Sequence, residues 1–382
     1  MTFPPPATAA TLKNFRVEGR MWCYASFVAR LYNLCVALGF TPGKMMPSRA
    51  FCSDESQGFP IILLTKHFGA FPFNHGRVGG IVSVDRHGPH AEHGKDLVLI
   101  QASHVGYDPD TGAFGVYRRL HTEHGNTTAS CGKIGHILEA YREEYLYARN
   151  QIRLLTHAGI PAIFVDNALL ATARSQGLFL RLEHLIENAR ENELPAPLTT
   201  RSTGMVFPAA KLLLSRVGTT GWPKHGSLPI GPYLMPEDFY FLREWSGQDA
   251  WQNQLERNLV PAMPWILTAK HPLLTAACAN TVAEFDRTYH SLVQHPAVRG
   301  KNLLFLAGLN IDISPQLREA FPLTKFVPWA AYLQAADGHQ EVWEQDEVFE
   351  RLAAQPETNP NQFHLEQAIA AMERAGRVKV QL

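Results

Sequence analysis

Cys52, His104 and Cys131 together offer two thiolates and one imidazole, three of the four donors that a tetrahedral zinc ion takes. A fourth position left to water separates a catalytic zinc from a structural one. Asp54 stands two residues after the first cysteine, which brings a carboxylate within reach of whatever fills that position. His104 lies in Ser103-His104-Val105-Gly106, and Cys131 in Ser130-Cys131-Gly132. The residue types alone leave two other readings open. Cys131 could be a small core residue, since free cysteine is among the most buried types. Cys52 and His104 could form a metal-free nucleophile and base, which leaves Cys131 idle.

Three separate elements must converge for the metal reading to hold. The segment from Arg49 to Asp54 reads as a short strand whose end delivers Cys52 and Asp54. Leu97 to Ile100 is a run of four apolar residues, the pattern of a strand covered on both faces. It leads into Ala102-Ser103-His104, beyond the carboxyl end of that strand, where ligands collect in open α/β sheets. Thr127, Thr128 and Ser130 offer N-caps for a helix beginning near Cys131, with Ile134, Leu138, Tyr141 and Tyr145 as its buried face. A thiol in the first turn of a helix is favoured as thiolate by the helix dipole.

The rest of the chain supplies the frame. Tyr24, Val28, Leu31, Cys35 and Leu38 share one face and predict a helix from about Val17 to Leu38, stopped at Gly39. Cys35 is then a core residue, and Cys23 reads the same way. Ile61 to Leu64 predicts a buried helix. Ala162 to Val165 and Leu303 to Leu306 read as strands, with helical stretches around Phe179 to Glu193 and Asp249 to Leu259 between them. Leu365, Ile369 and Met372 lie on one face of a final helix stopped at Gly376. The expected organisation is a flexible lead over residues 1–16 and a single α/β zinc domain over 17–382. Its motif-bearing core spans 40–150, and a helical elaboration spans 170–300.

Composition narrows the function classes. The chain has 382 residues with 35 basic and 35 acidic side chains, so no charge excess favours nucleic acid or an anionic membrane. Five cysteines, an odd and scattered set, argue against a disulfide framework. The opening Met-Thr-Phe-Pro-Pro-Pro lacks the basic and apolar regions of a signal peptide, and no apolar stretch is long enough to cross a bilayer. A cytoplasmic protein without membrane insertion is expected. Ten of the 17 histidines fall between His67 and His157. Five of those ten, His87, His90, His93, His121 and His124, read either as proton shuttles or as a solvated polar loop.

The motifs resemble those of the β-type carbonic anhydrases, in which Cys-x-Asp-x-Arg, a later His and a Cys hold zinc. They are more similar to the limiting-CO2-inducible proteins B and C, also called θ-type carbonic anhydrases. Cys52-Ser53-Asp54-Glu55, Ser103-His104-Val105-Gly106 and Ala129-Ser130-Cys131-Gly132 match that family's motifs, and Val78-Gly79-Gly80-Ile81 fits the glycine motif between them. The resemblance covers roughly Phe40 to Glu144. It implies a β-carbonic-anhydrase-like fold, a mostly parallel sheet flanked by helices, assembled as a homodimer.

It also implies Zn2+ on Cys52, His104 and Cys131, with CO2 and bicarbonate as the molecules interconverted. Zinc lowers the pKa of its water toward neutrality, and Asp54 would orient that nucleophile or, in an inactive state, close the site as a fourth ligand. The arginine that anchors the aspartate in β-type enzymes falls at Ser56. Arg86 is the first substitute, with Arg77 and Arg49 behind it. Two rivals stay open: a zinc hydrolase of another small electrophile, and a catalytically silent inorganic-carbon protein that binds a partner.

Overall fold

The computed structural model describes residues 5–83, 96–118, 127–170, 174–190, 193–245, 250–314 and 323–375. By its contacts the chain divides into two compact units. One comprises Lys13–Lys133 with Ala277–Leu382, the other Met1–Leu12 with Ile134–Ala276.

The first unit is built on the two apolar runs. Leu97–Ile100 belongs to a 13-residue strand, Asp96–Asp108, and Leu303–Leu306 to the 11-residue strand Leu303–Ile313. They pair in parallel from Leu303 against Leu97 to Ile313 against Tyr107. Strand side chains alternate between faces. Val98, Ile100 and Ala102 accordingly enter one core with Leu304, Leu306 and the helix Tyr24–Ala37. Leu97 and Leu99 enter another with Phe305 and with Phe285 of the helix Pro272–Gln294.

Around this pair a mixed sheet of eight strands forms. Its order is Trp22–Cys23, Leu323–Gln334, Leu303–Ile313, Asp96–Asp108, Met45–Ala50 and Phe73–Asn74, with two short strands off that path. The pairings that flank the Asp96–Asp108 strand are parallel, whereas Leu323–Gln334 runs antiparallel to its neighbours. An α/β sheet flanked by helices is therefore the architecture, as the sequence predicts.

Two local expectations differ. The first helix of this unit begins at Tyr24, because Gly19 takes a left-handed φ of 70°, a conformation open to glycine that ends a helical path. Trp22 and Cys23 pair instead with Phe326 and Lys325. His104 sits inside its strand rather than beyond the end, because Leu303–Ile313 stays paired with it past that point. Within the lead, residues Pro5–Asn14 form a helix. Its alanines favour helix, and its prolines fall in the first turn, where no intrahelical N–H is needed.

The second unit contains a five-stranded antiparallel sheet. Its order is Thr199–Arg201, Gly204–Pro208, Ile160–Asp166, Arg153–His157 and Ser227–Pro229. The stretch around Phe179 to Glu193, expected to be helical, is the strand Gly177–Leu180 followed by one turn, Leu182–Leu185. Phe179 stacks on Tyr240 across the pair at 5.6 Å, a cross-strand contact that favours strand over helix. The helix Ala250–Leu259 lies where it is expected.

Candidate metal centre

Cys52 follows the end of the Met45–Ala50 strand and is held by the glycine turn. The Gly79 amide donates to Cys52 Sγ at 3.1 Å. Gly79 and Gly80 both have positive φ, 75° and 78°. A Cβ on Gly80 would stand 2.3 Å from the Ala102 carbonyl oxygen, so only glycine lets the turn lie against the His104 strand. The helix Pro272–Gln294 also holds the turn. Asn280 Nδ2 donates to the Gly79 carbonyl and to Ser103 Oγ, both at 2.8 Å. The buried Glu284 accepts the Val82 amide at 2.7 Å and pairs with Arg287 at 2.6 Å.

Cys131 arrives by backbone bonding. Gly106, two residues past His104, donates its amide to the Ser130 carbonyl at 2.9 Å, and the Ser130 amide donates to Gly115 at 2.9 Å. A Cβ on Gly106 would meet the Val116 carbonyl oxygen at 2.3 Å, so this approach also needs glycine. Thr127 and Thr128, expected with Ser130 to supply caps, lie in the short strand Thr127–Ala129. The helix starts at Gly132, one residue after Cys131.

The three predicted donors come together. Cys52, His104 and Cys131 are buried, with one ligand atom from each lying within 4.8 Å of the others. The two sulfurs are 4.0 Å apart. Zinc–sulfur bonds of about 2.3 Å at a tetrahedral angle would put them about 3.8 Å apart. His104 Nδ1 is engaged by Asp312 Oδ2 at 2.8 Å, while its Nε2 is buried without a hydrogen bond. A buried imidazole nitrogen is costly to leave unpaired, and a metal ion is the partner that two adjacent thiols and this nitrogen fit.

Asp312 is the hub behind the histidine. Both residues are 0% exposed. Ser56 Oγ donates to Asp312 Oδ2 at 2.9 Å, and Gln57 Nε2 lies 3.0 and 2.9 Å from the two carboxylate oxygens. Thr324 and Ser130 hydroxyls stand at 3.4 Å. Asn310 Nδ2 donates to Gln57 Oε1 at 2.7 Å, which orients the glutamine amide toward Asp312.

The protonation pattern follows. The Cys52 thiol is pulled down, first by its hydrogen bond with Cys131 and, against burial, by His104 and the Gly79 amide. Cys131, its partner, is pushed up by that same bond and by burial. Burial disfavours charge on His104, but the Asp312 carboxylate and the two neighbouring cysteine sulfurs outweigh it and hold its pKa well above the usual imidazole range. The shifts favour a thiolate on Cys52 and a proton on His104.

Asp54 caps the turn Glu55–Gln57, accepting the Ser56 amide at 3.2 Å. It does not join the three-donor set among the described residues. Arg86 lies outside the described residues, as do His87, His90, His93, His121 and His124. Arg77 donates to the Gly76 carbonyl at 3.3 Å. Arg49 is half-buried, and burial lowers its pKa against the pull of Tyr24. Cys35 and Cys278 are buried, whereas Cys23 is exposed.

In the sequence Asp312 is an acidic residue shortly after the apolar run Leu303–Leu306. Its signal lay in Asn310 and Asp312, polar residues two apart in an otherwise apolar run, hence on one face. No helix among the described residues is long and apolar enough to cross a membrane.

No family model and no curated protein matches the chain. Solved structures do. PtLCIB4, a homolog of the limiting CO2-inducible protein LCIB, is 14% identical with a TM-score of 0.51, covering 88% of this chain and 98% of its own. A histidine-to-alanine variant of PtLCIB4 is 13% identical with the same TM-score, 0.51, covering 87% and 97%. The chain shares the fold of these limiting-CO2-inducible homologues, the family its motifs resemble.

Proposed function

We propose that the chain is a zinc-dependent carbonic anhydrase that interconverts CO2 and bicarbonate. The observation that carries this reading is the buried Cys52–His104–Cys131 set, with sulfurs 4.0 Å apart, on a fold shared with limiting-CO2-inducible homologues. Zinc held there would lower the pKa of water to near neutrality and so supply the nucleophile. The chain's own residues do the rest. Cys52 and Cys131 offer thiolates, and His104 presents Nε2 because Nδ1 is taken by Asp312.

Asp54 lies outside the donor set, which supports an open fourth position. With Oδ1 held by the Ser56 amide, Oδ2 would accept a hydrogen bond from the reacting water and turn its lone pair toward carbon. Arg86 is the proposed cation for Asp54. On this reading the protein works as a cytoplasmic homodimer.

Stopped-flow CO2 hydration with a pH indicator tests the proposal. Protein purified without added zinc should contain near-stoichiometric zinc and accelerate hydration. Chelation should remove the activity and zinc should restore it. Full zinc without acceleration from neutral to alkaline pH would defeat the proposal and leave a partner-binding role.

Loading should also release protons. The Cys131 thiol and the His104 ring are both held above their usual pKa ranges, which keeps their protons on before loading, whereas the Cys52 thiol is held down. Metal binding therefore displaces about two protons near neutral pH, and zinc affinity rises by up to roughly a hundredfold per pH unit there. An indicator titration in weak buffer counts them. Release of less than one proton would contradict this protonation pattern.

A further inference from the structure

We propose that Asp312 is a positioning residue for the metal centre. It holds His104 in the Nδ1–H form, so that Nε2 serves the metal, and it is itself held by Ser56 and Gln57. The proposal rests on the metal-centre reading of Cys52, His104 and Cys131.

A carboxylate is an acceptor only, so at 2.8 Å from Asp312 the His104 Nδ1 must carry the proton. Once the ring is neutral, the opposite nitrogen is the one that carries the lone pair. A partner of this kind fixes both the tautomer and the ring orientation of a ligating histidine. Neither residue is exposed to water, so no solvent molecule at the surface can replace the carboxylate in that role.

The carboxylate is in turn fixed. Ser56 Oγ and Gln57 Nε2 both donate to it, and Asn310 sets which end of the Gln57 amide faces it. Ser56 also donates its backbone amide to Asp54. In the Cys-x-Asp-x-Arg pattern this position carries the cation that serves the aspartate. Here one residue serves two carboxylates, Asp54 through its amide and Asp312 through its hydroxyl. The Cys52-Ser-Asp-Glu-Ser56-Gln57 segment therefore orients the histidine ligand as well as supplying a thiolate.

Asp312→Asn keeps the size of the side chain. It leaves a single acceptor oxygen and introduces N–H donors where His104, Ser56 and Gln57 all donate. Zinc affinity, measured by competition with a chromophoric chelator at fixed pH, should fall about 10- to 100-fold. Imidazole 15N spectra of the zinc-loaded protein should show His104 as Nδ1–H with Nε2 on the metal, a pattern that weakens or mixes in the variant.

Leu304→Ala, a core truncation in the same sheet, destabilises the fold without touching the network, and its zinc affinity should stay within about twofold of the parent. If Asp312→Asn does not fold, the Ser56→Ala/Gln57→Ala double variant decides. It keeps Asp312 but removes its donors, and a several-fold loss of affinity is expected. Unchanged zinc affinity in Asp312→Asn, or in the double variant, would overturn the proposal, as would Nδ1 ligation in the parent. A parent protein that takes up no zinc would overturn the metal-centre reading and this proposal with it.

Discussion

Cys131→Ser is expected to lower zinc affinity by at least about a hundredfold and to abolish CO2 hydration. A four-donor zinc site in a small domain is worth about 10–16 kcal/mol. Shared evenly, one donor accounts for roughly 3 kcal/mol, which is about a hundredfold in affinity. Serine is nearly isosteric, but its hydroxyl stays protonated where a thiol would ionise, so the loss falls on the metal rather than on packing. Metal content after dialysis and stopped-flow hydration are the two readouts. The same variant separates the metal centre from a metal-free pair. If Cys52 were a nucleophile with His104 as base, Cys131 would be dispensable and activity would survive. Retained activity without zinc would therefore sink the metal reading, and alkylation of Cys52 would then locate the nucleophile.

Asp54→Ala is expected to behave in the opposite way. Its carboxylate stands outside the three-donor set, so zinc should remain stoichiometric. Hydration should fall about 10²- to 10⁴-fold, the span typical of a lost proton-handling group. Arg86→Ala should show the same pattern, zinc kept and most activity gone, if Arg86 is the cation that restrains Asp54. Loss of zinc in Asp54→Ala would instead assign Asp54 as a fourth ligand and the resting centre as closed. Full activity in Arg86→Ala would remove that arginine from the site without disturbing Cys52, His104 or Cys131.

The parts of the fold legible in the sequence are those written in contiguous residues. Leu97–Ile100 and Leu303–Leu306 declare central strands because a strand buried on both faces must be apolar throughout, and both runs are such strands. Ile61–Leu64 declares a helix, which is Gly58–Phe68, although it buries Leu63 and Leu64 and leaves Ile62 exposed. Ala162–Val165 is legible in the same way, as the strand Ile160–Asp166, whereas other strands of the second unit are missed for the complementary reason. Thr199–Arg201, Gly204–Pro208 and Ser227–Pro229 have three to five residues each, too few to show a period.

For the site, residue type and motif order were enough to name Cys52, His104 and Cys131, because zinc chemistry restricts its donors to a few side chains. Their convergence was not. It depends on backbone approaches at Gly80 and Gly106 that a Cβ would block, and on hydrogen bonds with Asn280 and Glu284, far along the chain. Asp312 is the clearest case. It stands 208 residues from His104 and 256 from Ser56, and its one local sign, a second polar residue at Asn310 on the same face of an apolar strand, does not say which partner it meets. What a side chain can donate is set by its own chemistry, whereas which buried acceptor it meets is set by long-range strand register. The sequence alone therefore determined the donors of this centre, and the tertiary structure decided what holds them.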